Sequence, residues 1–356
     1  MVNVFITGRF LNGKRYLPVL YPHLGELVNK KRLFADLGNR AFNAPAFNLV
    51  KNIKDADFIL LPHEYFDVIK TDMKYLDEHL FLAREHNKKL LIFDLSDFTD
   101  KEINISEAII FRIAEYKHRK KDNVIVMPTF IEDLSQYARI EYSKKKVIPI
   151  VGFCGFAEFK NNWQNLKFLI KIFFINIKKI ITFNKNIESH KHGIYFRKKV
   201  IRVLKKCDKM EKRFIVRKSY SSHESTIELP VKEARKQYIE NIIDSDFSLA
   251  VRGNANISCR FYEILSLGRV PLFVDTDCVL PLEDMIDYKK FVLFVDYKNM
   301  TDICAIVNRF YSEIDNDEFV RMQKTARDVY EKYLNTKSFL KYILSKLLEK
   351  NNEYKK

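Results

Sequence analysis

SDFSLAVRGNANISCRFYEILSLGRVPLFVD, residues Ser245 to Asp275, decides the fold class of this chain. An apolar run from Asp246 to Val251 gives way to a polar loop, Arg252 to Ser258. An amphipathic stretch, Cys259 to Leu267, and a second apolar run, Val270 to Val274, follow. Strand, loop, helix and strand in that order make a βαβ unit, which implies parallel strands. In open α/β sheets ligands bind at the carboxyl ends of strands, where helix N-termini offer unpaired N–H groups to anions. The loop occupies that place. Gly253 is expected at a positive φ or a close backbone approach, Asn254 and Asn256 suit tight turns, and Ser258 suits an N-cap. Arg252 and Arg260 are bidentate phosphate donors. Glu263, three residues after Arg260, shares its helix face and suits a ribose diol. The competing reading makes Arg260 and Glu263 a surface ion pair and Ser258 a structural cap. Gly268 should end the helix, and Pro271 leads into the next strand.

The same alternation extends in both directions. Strands are predicted at Val2 to Ile6, Asp57 to Leu61, Lys89 to Asp94 and Val124 to Met127, with a long helix between Tyr65 and Asn87. A strand at Ile148 to Cys154 opens a second half, followed by helices at Trp163 to Ile181 and Ile194 to Lys206. Further strands are predicted at Arg213 to Val216, Asp246 to Val251, Val270 to Val274 and Phe291 to Val295. Helical periodicity continues from Asn299 to the end. At about 150 residues per domain, 356 residues make two domains facing a cleft. The expected division is 1–147, 148–335 and a C-terminal helix, 336–356, crossing back.

Composition removes several classes. At 47% hydrophobic and 30% charged, with 9 Gly and 9 Pro, the chain is neither disordered nor collagen-like. Its apolar run Ile172 to Ile177 is far below the roughly 20 residues of a membrane span, and the opening MVNVFITGRF reads as a strand rather than a signal peptide. Five scattered cysteines, none in a CxxC pair, argue against a disulfide framework and a zinc site. The expected location is the cytoplasm. The net charge of +16 is concentrated: Lys160 to Lys218 holds eighteen Lys or Arg against three acids, a balance of +15. Such a stripe attracts phosphates on nucleic acid, an anionic membrane or a small ligand; a merely solvated lysine-rich surface is the alternative.

The Ser245–Asp275 segment resembles the C-terminal signature of the exostosin family of inverting glycosyltransferases. That signature has a Ser and hydrophobic strand, Arg-Gly, Ser-x-Arg-hydrophobic-x-Glu, Gly-x-hydrophobic-Pro and Leu-Pro. Here these are Ser245, Arg252-Gly253, Ser258, Arg260, Glu263, Gly268, Pro271 and Leu280-Pro281, with Asp287-Tyr288 at the family's Asp-Trp. ADFILLPHEYF (Ala56 to Phe66) is similar to the family's first-domain strand, VGFCGF to its linker, and Phe196-Arg197 to its arginine-bearing helix. The resemblance implies a GT-B fold: two Rossmann-like, doubly wound α/β domains, with the nucleotide-sugar donor on the second and the acceptor on the first. It implies donor contacts from Arg252, Gly253, Asn256, Ser258, Arg260 and Glu263. The first-domain Asp-His and His-Asp pairs of the family are replaced by IFDLSDFTD.

An inverting transfer needs a base for the acceptor hydroxyl and cationic groups for the leaving diphosphate. His63 and Glu64 after the second strand, and Asp94 and Asp97 after the third, are the candidate bases, each also suited to turn capping. Asp275-Thr276-Asp277 has the form of a metal-binding DxD. With Arg252 and Arg260 supplying cationic charge, no cofactor or divalent metal is expected. His190-Lys191-His192 reads as a solvated loop. The expected function is inverting transfer from a nucleotide-sugar, a UDP-sugar, to a saccharide or lipid-linked glycan. Contact with an anionic membrane through 160–218 is expected, and no specific nucleic-acid partner. The competing functions are a non-catalytic saccharide-binding protein and a basic nucleic-acid-binding protein; no zinc, RNP-like or helix-turn-helix signature supports the latter.

Overall fold

The computed structural model describes residues 1–27, 42, 44–182, 190–220 and 223–353, without the side chains of 178–180 and 352. Part of the basic stripe, 183–189, lies outside the described residues. Two parallel sheets organise the chain. The first has the order β2-β1-β3-β4-β5-β6, with β1 Asn3–Phe5, β2 Asn48–Val50, β3 Phe58–Leu60, β4 Lys89–Asp94, β5 Ala108–Arg112 and β6 Val124–Val126. The second has the order β11-β10-β9-β7-β8, with β7 Ile150–Phe156, β8 Glu211–Arg217, β9 Phe247–Val251, β10 Val270–Asp275 and β11 Leu293–Asp296. In both, the first strand lies between the second and the third, so the winding direction reverses there. These are two doubly wound, Rossmann-like domains, the GT-B arrangement, and each reversal opens a crevice at the strands' carboxyl ends.

Burial follows the expected pattern. β3, β4 and β9 read as near-continuous apolar runs because helices cover both faces of a parallel sheet. The long helix after Glu64 is two helices, Tyr65–Thr71 and Met73–Glu85. Asp72, in extended conformation, caps the second through Tyr75 N. Helix Cys259–Ser266 ends as the sequence predicts. Gly268 has φ +60°, its N–H donates to Leu265 O, and that of Arg269 donates to Ile264 O, a Schellman closure.

The C-terminal helix, Thr336–Glu353, buries Phe339, Leu340 and Leu344 in the first domain's core, although the helices before it, Ile303–Glu313 and Asn316–Val329, belong to the second. The chain thus returns to its first domain. In the opposite direction Ile131 and Leu134 join the second domain's core, and Arg327 holds Asp133 at 2.8 Å. One expectation is corrected: Cys207 and Cys304 form a disulfide, with Cα atoms 5.9 Å apart. Helices Gly193–Lys205 and Ile303–Glu313 pack in one core and bring together residues 97 apart, a proximity no local spacing reveals. Among the described residues, no helix is long and apolar enough to cross a membrane.

Candidate functional site

A cleft of about 1360 Å³ runs between the two sheets' carboxyl ends, lined by both domains. From the second come Arg197, Arg217, Arg235, Tyr238, Gly253, Ser258, Arg260 and Glu263; from the first, Arg15, Glu64, Ser96, Asp97 and Lys101.

The reversal point of the second sheet, between β7 and β9, carries the arginines. Arg260 Nη2 donates to Cys154 O at 2.5 Å, and its guanidinium lies 4.4 Å from the Phe153 ring centroid. It reaches β7 because Gly155 has no side chain: a Cβ there would sit 2.5 Å from Arg260 Nη2. Arg197 donates to Phe156 O at 3.2 Å and Val251 O at 3.4 Å, spanning the same two strands. Two guanidinium groups therefore line the cleft where β7 and β9 end.

Arg260 and Glu263 do not pair directly. Tyr238 stands between them: its hydroxyl donates to Glu263 Oε2 at 2.5 Å and accepts from Arg260 Nε at 3.3 Å. Arg235 donates to Glu263 Oε1 at 3.3 Å and, across the domain boundary, to Glu132 Oε2 at 2.7 Å. Burial and the neighbouring Glu263 carboxylate push the Tyr238 phenol well up, so it stays a donor. Sequence reasoning missed Tyr238, Arg235 and Glu132. The available signal was the i,i+3 spacing of Arg235 and Tyr238 on helix Val231–Ile243, which puts both on one face.

The Arg252–Ser258 loop departs from expectation at three positions. Gly253 has no positive φ and only ordinary contacts at its Cβ position. The glycine the loop requires is Gly193, where a Cβ would lie 2.1 Å from Arg252 O; its N–H donates to Gly253 O at 3.1 Å. Arg252 and Asn256 are turned away from the cleft. Arg252 is buried, donating to Tyr116 Oη at 2.9 Å and Asn254 O at 2.7 Å. Asn256 donates to Asp277 O, accepts from Thr276 Oγ1 at 2.6 Å, and its N–H reaches Thr99 Oγ1. Both brace the loop against the first domain. Ser258 occupies the N-cap of helix Cys259–Ser266 without a side-chain cap bond, leaving its hydroxyl and that helix's first N–H groups at the cleft.

The four candidate bases separate clearly. His63 is buried; its Nε2 accepts from Leu11 N at 3.0 Å and its Nδ1 donates to Arg15 O at 2.9 Å. Both nitrogens are used, and burial lowers its pKa. Asp94 is also buried, with Oδ1 accepting from Ser96 and Oδ2 held by Arg112 at 2.8 Å. Neither lines the cleft. Glu64 does. It caps helix Tyr65–Thr71 through Oε2, which accepts from Asp67 N at 2.9 Å, while Oε1 is buried with no partner among the described residues. Burial, with the nearby Asp94 charge adding to it, raises its carboxyl from 4.5 to about 7. Asp97 is an exposed cleft carboxylate touched by Asn254 Nδ2 at 3.4 Å.

The DxD lies on the domain boundary. Asp275 accepts from Lys117 Nζ at 2.6 Å and Cys278 N at 2.8 Å, Asp277 pairs with His118, and Tyr116 and Cys278 form an antiparallel bridge. None of the three residues lines the cleft. His190 stacks on Tyr116 at 4.4 Å, and burial with the nearby His118 lowers its pKa to about 4. It is packed against the boundary rather than solvated.

Two parallel doubly wound domains meeting at a cleft define a GT-B-type protein. The exostosin GT47 domain model matches residues 111–310, and the chain belongs to that family of glycosyltransferases. Local similarity connects it to a probable arabinosyltransferase, ARAD1, of Arabidopsis thaliana, 35% identical over 65 residues, which are 18% of this chain and 14% of that protein. An exostosin-1 homolog of Caenorhabditis elegans is 28% identical over 102 residues, 29% of this chain and 26% of that protein. The matched segments thus span far less than two thirds of either relative. Solved structures aligned over nearly the whole chain include Anabaena Alr3699/HepE in complex with UDP, with a TM-score of 0.40, 8% identity and coverage of 98% of this chain and 100% of that one. A glycosyltransferase from Rickettsia africae ESF-5 has a TM-score of 0.37, 11% identity and coverage of 99% and 98%.

Proposed function

We propose that this protein transfers a sugar with inversion from a nucleotide-sugar, a UDP-sugar, to a saccharide acceptor, with Glu64 as the base. The observation that carries the reading is the pairing, in one cleft, of the Arg260–Tyr238–Glu263 array with the half-buried Glu64 carboxylate of the first domain, whose pKa burial raises. Arg260, Arg197 and the N-terminus of helix Cys259–Ser266 suit a diphosphate, whose charge grows as the glycosidic bond breaks. Glu263 suits the ribose hydroxyls; on donor binding the diol would displace Arg235 or Tyr238 from its oxygens. The Glu64 carboxylate, which lines the cleft, takes the acceptor proton as the hydroxyl oxygen attacks the anomeric carbon, and a carboxyl near 7 is well matched to that task.

In this reading Arg252 and Asn256 position the loop and do not touch the donor. Asp275 and Asp277 join the domains through Lys117 and His118, and the diphosphate is neutralised by guanidinium groups without a divalent ion. The arabinosyl and exostosin-type names of the two relatives suit a glycan-assembly role. Incubation of purified protein with a panel of UDP- and GDP-sugars, reading release of free nucleotide, tests the proposal. Slow donor hydrolysis that is lost in Arg260→Ala supports it. No hydrolysis of any donor, together with saccharide binding, favours the non-catalytic alternative.

A further inference from the structure

Helix Asn162–Thr182 has one apolar face toward the protein and another away from it. Toward the protein it buries Ile172 and sets the Phe168 ring 5.2 Å from Phe159. Away from the protein, Trp163, Leu166, Ile170, Phe173, Phe174 and Ile181 are exposed, Trp163 and Phe173 at 61%, Phe174 at 63% and Ile181 at 71%. At 100° per residue these six fall within an arc of about 100° along the helix, a continuous outward stripe. Lys167 and Lys171 flank it on one side, Lys167 lying 5.0 Å from the Trp163 ring. An outward stripe with two phenylalanines and a tryptophan is costly to leave in water.

We propose that this stripe docks on an anionic lipid bilayer, lying in the interface without spanning it. Charge complementarity selects that occupant. The stripe belongs to the segment carrying eighteen Lys or Arg against three acids, and the adjacent helix Gly193–Lys205 exposes Arg202 and Lys205 with Lys206 just after it. Lys198 Nζ joins the two helices at Asn165 Oδ1, 2.9 Å away. Aromatic and aliphatic side chains entering the acyl boundary, with lysines reaching headgroup phosphates, describe an interfacial amphipathic helix. The docked helix also lies near the cleft: Phe168 touches Phe159, and Phe159 touches Phe156 of the cleft lining, with ring centroids 6.0 Å apart. An acceptor presented at a membrane surface would meet the cleft mouth there.

Trp163 is the only tryptophan of the chain and lies in the stripe, so its fluorescence reports docking directly. The full-length protein is titrated with vesicles of phosphatidylglycerol and phosphatidylcholine in equal parts, and with phosphatidylcholine alone. A blue shift and flotation with the anionic vesicles at low salt, both absent with the neutral ones and weakening as salt rises, are expected. The double variant Phe173→Ser/Phe174→Ser, altered only at exposed positions, should keep its fold and bind at least about tenfold more weakly. Absence of shift and flotation at low salt overturns the proposal. So does concentration-dependent dimerisation that buries Trp163 without vesicles, which would make the stripe a contact between copies of this chain.

Discussion

Replacing Glu64 by Gln separates a catalytic carboxylate from a structural one, because the two roles move opposite observables. The change keeps an oxygen for the Asp67 N–H and removes the buried charge. Folding raises the carboxyl from 4.5 to about 7, so the native state favours the protonated form. That stabilisation is complete below 4.5 and is lost as pH rises through about 7. At about 1.36 kcal/mol per unit, burying the ionised group at pH above about 8 costs about 3 kcal/mol relative to the protonated one. Glu64→Gln should therefore be no less stable than wild type at high pH, with an advantage of up to about 3 kcal/mol that fades toward pH about 4. Loss of a general base should meanwhile lower kcat by about 10²- to 10⁴-fold. Urea melts across pH, paired with nucleotide-release kinetics, read both quantities. The wild-type rate should climb with pH through a midpoint near 7, and the variant should lack that limb. A kcat within about threefold of wild type, with the limb retained, would refute the assignment and leave Asp97 as the cleft carboxylate to test.

Arg260→Ala should weaken nucleotide binding and lower kcat together, by about 2 to 4 kcal/mol in transition-state stabilisation, measured as kcat/KM on a nucleotide-sugar. Glu263→Gln should chiefly raise the nucleotide Kd, by about 1.5 to 3 kcal/mol, with turnover of the bound complex less affected; calorimetry and single-turnover rates distinguish these. Gly193→Ala sets a methyl 2.1 Å from Arg252 O and should destabilise the fold by more than about 2 kcal/mol in denaturant melts, shifting the Arg252–Ser258 loop in whatever remains folded. Turnover should survive EDTA; complete loss restored by manganese would restore a metal role to Asp275 and Asp277.

The βαβ segment was legible because periodicity, the loop and a terminating Gly268 agree, and the observed β9, helix and β10 lie within a residue or two of the reading. Two strands escaped it. Asn48–Val50 is a three-residue edge strand without alternation, and Ala108–Arg112 ends in an arginine that looks solvent-bound in sequence but is buried against Asp94 and Glu115. The same long-range pairing removes Asp94 from the candidate bases, and Leu11 and Arg15, about fifty residues upstream, remove His63. Motif residues could be found in sequence, but their orientation could not. Arg252 and Arg260 are equally suited to phosphate by type, yet Tyr116 on the other domain draws one away while Gly155 lets the other settle on β7. Tyr238 and Arg235 had no motif to announce them, since their role arises only where helix Val231–Ile243 packs beside helix Cys259–Ser266.

In the proposed function the Arg260–Tyr238–Glu263 wall binds the nucleotide of the donor. Calorimetric titration of UDP, with GDP in parallel, into wild type and Arg260→Ala tests this. Saturable binding by wild type, weakened at least about tenfold in a variant that melts like wild type, is the expected result. Equal affinity in both proteins, or no binding of either nucleotide, would contradict the assignment.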